Sequence, residues 1–248
     1  MRLWPAFVLA VATVGGIVGA VAIHARHAPD AAPPPGCELG PVRHGIDVSY
    51  YQGDIDWEKV RASGVEFAFI RVSDGVDNPD TLFELNWGAA KAAGVPRGMY
   101  QFFRPSDDVA AQADLLVAMA TKRGAGELPP VIDIEDDGGL PPAVVAKKAR
   151  AWIDRVRAKL HVEPIVYTYP DFWRRGGGAP LAAQALWLAH YTKDACPTVP
   201  PPWKDWTYWQ YSERGKVPGI VGNVDLDVMR DQGLGMSPTD RARPTSDR

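Results

Sequence analysis

Two acids separated by a single residue, Asp133 and Glu135, close the run Val131-Ile132-Asp133-Ile134-Glu135. Pro129 and Pro130 precede it, and Asp136-Asp137-Gly138-Gly139 follow. An apolar run bounded by breakers reads as a buried strand. Side chains alternate along a strand, so both acids point to one side, with Cα atoms roughly 6.5–7 Å apart. Burying two carboxylates side by side is costly unless a pKa shifts or a partner is present. Acid/base chemistry uses that arrangement, with one carboxyl protonated and the other not. The alternative is a strand that stops at Ile134, with the acids opening a solvated loop.

Other groups suit the same chemistry. Asp47 lies late in His44-Gly45-Ile46-Asp47-Val48 and reads either as a site acid or as the cap of the next turn. Asp225 and Asp227 repeat that spacing, on a site face or a solvated edge. Arg71, ending Phe67-Ala68-Phe69-Ile70-Arg71, is a surface cation or the charge balance of these acids. His190 reads by default as a satisfied core histidine. Other chemistries lack support. No serine elbow is present, Cys37 falls in a linker, and Gly176-Gly177-Gly178 lacks the lysine of a phosphate loop. No His/Asp ligand spacing commends a metal, and no cofactor motif appears.

These residues must be held by a sizeable domain, which 248 residues can build. A net charge of -3 offers no basic surface for nucleic acid. Nine Trp and eight Tyr suit core packing, and also a cleft in which flat rings stack on sugars. Residues 3–23 carry no charge and read as an export signal or a membrane anchor, either of which places the rest outside the cytoplasm. Residues 24–40 form a Pro/Ala-rich linker, residues 41–235 the folded unit, and residues 236–248 a polar, disordered tail. Cys37 and Cys196 allow one disulfide, but spacing alone does not pair them.

From His44 strands and helices alternate. Strands are predicted at 44–48, 66–72, 97–103, 131–135 and 163–168, with helices from Asp56, Thr81, Asp107 and Pro141 between them. A short helical turn and a glycine-rich loop follow. Three more strands, near 186–191, 205–211 and 223–228, come with little helix. Five strand-helix units followed by three strands make a barrel-like α/β fold. Sites of such barrels lie at the carboxyl ends of the strands. Asp47, Arg71, Tyr100, Phe102, Asp133, Glu135, Tyr167, His190 and Tyr191 all fall near such ends.

The ordered set of segments resembles the family 25 glycoside hydrolases, which are N-acetylmuramidases. It includes His44-Gly45-Ile46-Asp47-Val48-Ser49-Tyr50-Tyr51-Gln52-Gly53, Gly98-Met99-Tyr100-Gln101-Phe102, Pro130-Val131-Ile132-Asp133-Ile134-Glu135, Leu186-Trp187-Leu188-Ala189-His190-Tyr191, Trp209-Gln210-Tyr211-Ser212 and Val224-Asp225-Leu226-Asp227. The resemblance runs from residue 44 to about 230. It implies an α/β fold, a flattened TIM-like (β/α)5(β)3 barrel with an acidic groove, and cleavage of the β-1,4 bond between N-acetylmuramic acid and N-acetylglucosamine. It implies Glu135 as general acid, Asp133 as second carboxylate, and Asp47 and Asp225 as further groove acids. It implies Tyr50, Arg71, Tyr100, Phe102, Tyr167, Tyr191 and Trp209 as residues lining the cleft. Tyr50-Tyr51-Gln52 departs from the family, which often has smaller or His/Asn residues there.

On this reading like charge raises the Glu135 pKa and Asp133 stays ionised. Asp133 would then orient the substrate acetamido group or activate water. The protein would act on peptidoglycan as a monomer, without cofactor or nucleic acid, touching membrane only through its N-terminal segment. The alternatives are a glycosidase for another amino-sugar polymer and a non-catalytic glycan-binding barrel. The chitinase pattern Asp-x-x-Asp-x-Asp-x-Glu counts against the first, since Val131 stands where its second acid belongs.

Overall fold

The computed structural model describes residues 40–124 and 126–230. The N-terminal segment, most of the linker, Cys37 and the tail lie outside the described residues. Cys196 is disulfide-bonded.

Eight strands close a barrel: β1 (Val42–Val48), β2 (Phe67–Asp74), β4 (Arg97–Phe102), β5 (Val131–Asp133), β6 (Ile165–Thr168), β7 (Leu186–Ala189), β8 (Tyr208–Gly215) and β9 (Val224–Arg230). A two-residue β3 (Asn78–Pro79), absent from the sequence expectation, adds a hairpin edge to β2. Neighbours around the ring run β1, β2, β4, β5, β6, β7, β8, β9. Pairing is parallel from β1 through to β8, and β9 runs antiparallel between β8 and β1. The helices are α1 (Trp57–Ala62), α2 (Phe83–Ala92), α3 (Val109–Arg123) and α4 (Pro142–Leu160). The fifth strand-helix unit is completed by two 3-10 turns, Pro170–Trp173 and Ala179–Leu181. The (β/α)5(β)3 expectation therefore holds, with four α-helices among the described residues.

Alternation along the strands sorts the side chains into two cores. Phe67, Phe69, Val131, Ile165, Trp187, Tyr208 and Met229 fill the barrel interior. Ile46, Ile70, Met99, Ile132, Leu188, Trp209 and Leu226 belong to the second core, with Val60, Trp87, Leu116 and Trp152 from the helices. Two inward glycines make room for the aromatic filling. A Cβ on Gly45 would lie 2.3 Å from the Phe67 ring, and one on Gly98 2.6 Å from Phe69.

Helix ends follow local chemistry. Asp56 accepts from the Lys59 N–H and Asp108 from the N–H groups of Ala110 and Ala111, capping α1 and α3. Pro142 opens α4, where a missing N–H costs nothing. Strand β8 begins and ends later than expected. Its Ser212-Glu213-Arg214 extension pairs irregularly with β9 and is partly solvated, so it lacks an apolar signal.

Candidate active site

The barrel places one layer of polar side chains above its aromatic filling. The strand ladder of β5 ends at Asp133, yet the chain stays extended. The Ile134 N–H donates to the Tyr167 carbonyl (2.9 Å), and the Ile134 carbonyl accepts from the Thr168 hydroxyl (2.9 Å). Ile134 is fully buried outward, so Asp133 and Glu135 both turn inward. The solvated-loop alternative fails for these two acids; it begins only at Asp136-Asp137. Cross-strand register sets Phe102, Asp133 and Tyr167 side by side, Arg71 beside Tyr100, and Asp47 beside Asp225. Asp225 lies near the start of β9, not the carboxyl end. An antiparallel strand presents its first residues to the face where its parallel neighbours end.

The resulting groove encloses about 420 Å³. Its acids are Asp47, Asp74, Asp133, Glu135, Glu213 and Asp225, and its cations are Arg71 and Arg104. A second cavity of about 620 Å³ shares Glu135 and continues along Asp136, Asp137, Tyr169 and Phe172. Glu135 thus stands between two spaces. Among the described residues no cluster of three His, Cys, Asp or Glu could hold a metal ion, and no helix is long and apolar enough to cross a membrane.

Burial dominates the electrostatics. Asp133 is only 4% exposed. Burial, then the Glu135 charge and the hydrogen bond between the two carboxyls, raise its pKa well above the usual range. Glu135 is also raised by burial, while its hydrogen bond with Asp133 pulls it down. Burial, rather than the like charge expected from the sequence, is what raises Glu135. Both carboxyls are thus held above the usual carboxylate range, and two acids this close are poised to share one proton. Asp47 is raised well above its ordinary value by burial and by Asp225 and Asp227, and Gln210 opposes this. Asp225 is pushed up to about 7 by burial, Glu213 and Glu135.

Three side chains that the sequence did not single out organise these groups. Gln210 is buried and its amide donates to Asp47 Oδ2 (2.6 Å); its Oε1 accepts from the hydroxyls of Tyr167 (2.9 Å) and Tyr191 (2.6 Å). Asp80 accepts from Arg71 Nε (3.1 Å) and from the N–H groups of Tyr50 and Leu82. Arg104 grips Asp74 with two bonds (2.6 and 2.7 Å) and Asp136 with a third (2.5 Å). Its own N–H and carbonyl are held by Gln112 of α3. Arg104 thereby ties together the segments leaving β2, β4 and β5, the last carrying Glu135.

Most expected site residues meet here. Asp47, Arg71, Tyr100, Phe102, Asp133, Glu135, Tyr167, Tyr191 and Asp225 all line the groove. Two expectations are corrected. Trp209 is fully buried in the outer core, its indole donating to the His190 carbonyl (2.9 Å). Alternation turns its neighbour Gln210 inward instead. Tyr50 is not among the lining residues, its ring standing 4.8 Å from the Arg71 guanidinium, and Tyr51 lines the groove instead. Asp225 and Asp227 do share a face, at different depths. Asp227 is wholly buried beside Gly45 and accepts from the Trp187 indole (2.8 Å). His190 has a structural role, its Nδ1 accepting from the Thr198 N–H (3.0 Å).

Comparison with known proteins agrees with this architecture. Residues 46–220 match the model of glycosyl hydrolases family 25. Lysozyme M1 of Streptomyces globisporus is 33% identical over 263 residues, covering 87% of this chain and 89% of its own. The N,O-diacetylmuramidase of a Chalaropsis species is 31% identical over 73% of this chain and 95% of its own. The crystal structure of the bacterial lysozyme from Streptomyces coelicolor superposes with a TM-score of 0.70 at 32% identity, covering 79% of this chain and 97% of that one. With its barrel, its inward acids and these likenesses, the chain belongs to glycoside hydrolase family 25.

Proposed function

We propose that the protein is a peptidoglycan hydrolase of the N-acetylmuramidase type. It cleaves the β-1,4 bond between N-acetylmuramic acid and N-acetylglucosamine, with Glu135 as general acid and Asp133 assisting. The observation that carries this reading is the Asp133–Glu135 pair, hydrogen-bonded at the groove floor with Asp133 Oδ1 buried and otherwise unpartnered. An unpaired buried acceptor is costly, and a substrate N–H would relieve it. The acetamido groups of this polymer supply such a donor.

Glycosidic cleavage needs a proton on the leaving oxygen and negative charge near the cationic ring. Binding sugar over the pair moves the shared proton toward Glu135, because Asp133 becomes the acceptor of the acetamido N–H. Glu135 gives that proton to the glycosidic oxygen as the carbon–oxygen bond breaks. Asp133, now ionised, holds the acetamido group and stabilises the positive centre. Water then adds to the anomeric carbon, and its proton returns to Glu135. Asp47 and Asp225 complete the ring of acids, Asp225 adding negative charge above about pH 7, and Arg71 limits the cost of that charge.

The relatives' lysozyme activity supports an extracellular site of action, as do residues 1–23, and the enzyme works as a monomer. Glu135→Gln is expected to abolish release of reducing ends from peptidoglycan while circular dichroism and Tm stay unchanged. Near-wild-type turnover in that variant would refute the assignment. Mass analysis of the new reducing ends decides between muramic acid and glucosamine termini.

A further inference from the structure

Tyr51 is 72% exposed, the most open aromatic ring among the described residues. It lines the groove from the turn that follows β1. Leaving so much ring surface in water is unfavourable without an occupant. Its backbone is nevertheless locked. Ser49 and Gln52 form reciprocal caps around the 3-10 turn Tyr50–Gln52, and Gly53 closes it at φ 62°. The Tyr50 N–H is fixed by Asp80 (2.9 Å). The ring is supported from behind, with the Tyr50 centroid 4.3 Å away and the Arg71 guanidinium 5.3 Å from its own centroid. Ordering that binding would otherwise demand is already in place.

Its position in the ring of strands matters as much. Tyr51 follows β1, and the Tyr169–Phe172 cavity follows β6. In the eight-strand order β1 and β6 lie four places apart, so the two aromatic edges face each other across the barrel mouth. Between them lie Asp47, Asp133, Glu135 and Asp225. The ring that becomes cationic belongs over these carboxylates, and the leaving sugar beyond Glu135.

We propose that Tyr51 is a preformed stacking platform for the apolar face of an N-acetylhexosamine ring, on the non-leaving side of the cut. It therefore sets how long a strand the enzyme prefers. The inference rests on the polysaccharide-hydrolase reading and goes beyond it, since the cleavage chemistry does not require Tyr51. The test compares kcat/KM of wild type, Tyr51→Ala and Tyr51→Trp on peptide-stripped glycan strands of graded length. Tyr51→Ala is expected to lose about tenfold on long strands, the effect of roughly 50 Å² of ring face no longer leaving water. The loss should be smaller on the shortest strand that is cut, and Tyr51→Trp should keep the long-strand rate. An equal loss at every length, or no loss at any, overturns the proposal. Retention on insoluble peptidoglycan is measured alongside, in a Glu135→Gln background. Tyr51→Ala should weaken retention about tenfold there, and unchanged retention overturns the proposal. A wild-type protein that releases no reducing ends counts against the hydrolase reading alone, and retention still judges Tyr51.

Discussion

Asp225→Asn should stabilise the protein, and only above acidic pH. The Asp225 carboxyl is pushed from 3.8 to about 7 by burial, Glu213 and Glu135. Below pH 3.8 it is protonated in both folded and unfolded chains and has no effect. As pH rises, the unfolded chain ionises first, so the folded state binds more protons and stability falls. The loss levels off once pH passes about 7 and the folded form ionises too. At 1.36 kcal/mol per pKa unit the full displacement amounts to about 4 kcal/mol. Asp225 is only part-buried, and water at the rim screens its charge, so about 1–2 kcal/mol is the measurable part. Asparagine keeps the shape and removes the charge, and Asp225 accepts no hydrogen bond among the described residues that the change would break. At about 2–4 °C per kcal/mol for a protein this size, the variant should melt about 2–8 °C higher at pH 8. At pH 4 its Tm should lie close to that of wild type, and lysis should fall at pH 8 only, where the groove loses a negative charge. The assay is thermal denaturation across pH 4–8 beside a peptidoglycan turbidity assay. A gain of equal size at pH 4 and pH 8, or a lower Tm at pH 8, would refute the reasoning.

The other groups invite equally direct measurements. Gln210→Leu leaves Asp47 and the Tyr167 and Tyr191 hydroxyls without their shared partner. We expect about 2–4 kcal/mol less stability by denaturant titration, growing as pH rises because the Asp47 pKa climbs further. Arg104→Met frees Asp74 and Asp136, and kcat should fall about tenfold or more with a smaller change in KM, because the segment carrying Glu135 loses its tether. An Asp136→Asn change in that background should add little, and a fully additive loss would count against the tether. Trp209→Ala should cost about 3–5 kcal/mol by denaturant titration, as a buried core deletion does, with the surviving folded fraction still cutting peptidoglycan.

Much of this site was legible before any coordinates. Asp-x-Glu in an apolar run placed Asp133 and Glu135 together, and strand ends gathered Asp47, Arg71, Tyr100, Phe102, Tyr167 and Tyr191. What misled was parity. A barrel strand is buried on both faces, one toward the interior and one toward the helices, so both sets of side chains read as apolar or aromatic. In Tyr208-Trp209-Gln210-Tyr211 nothing in the sequence says which alternate set turns inward, and the large indole drew attention from the small amide. The pair Tyr50-Tyr51 posed the same problem in a tight turn, where a one-residue step reverses direction. Asp80 and Arg104 escaped notice because their partners are 9 to 32 residues away.

The order of strands, helices and acids follows from the chain itself, because apolar periodicity and breakers act over a few neighbouring residues. Depth and proximity belong to the closed barrel. Only closure brings β9 beside β1 and sets Asp225 against Asp47 across 178 positions of chain. Only burial lifts the carboxyls toward neutrality and lets the Asp133–Glu135 pair share a proton. Those quantities depend on how much water is excluded and which charges share the space, and both are set by contacts far apart in sequence.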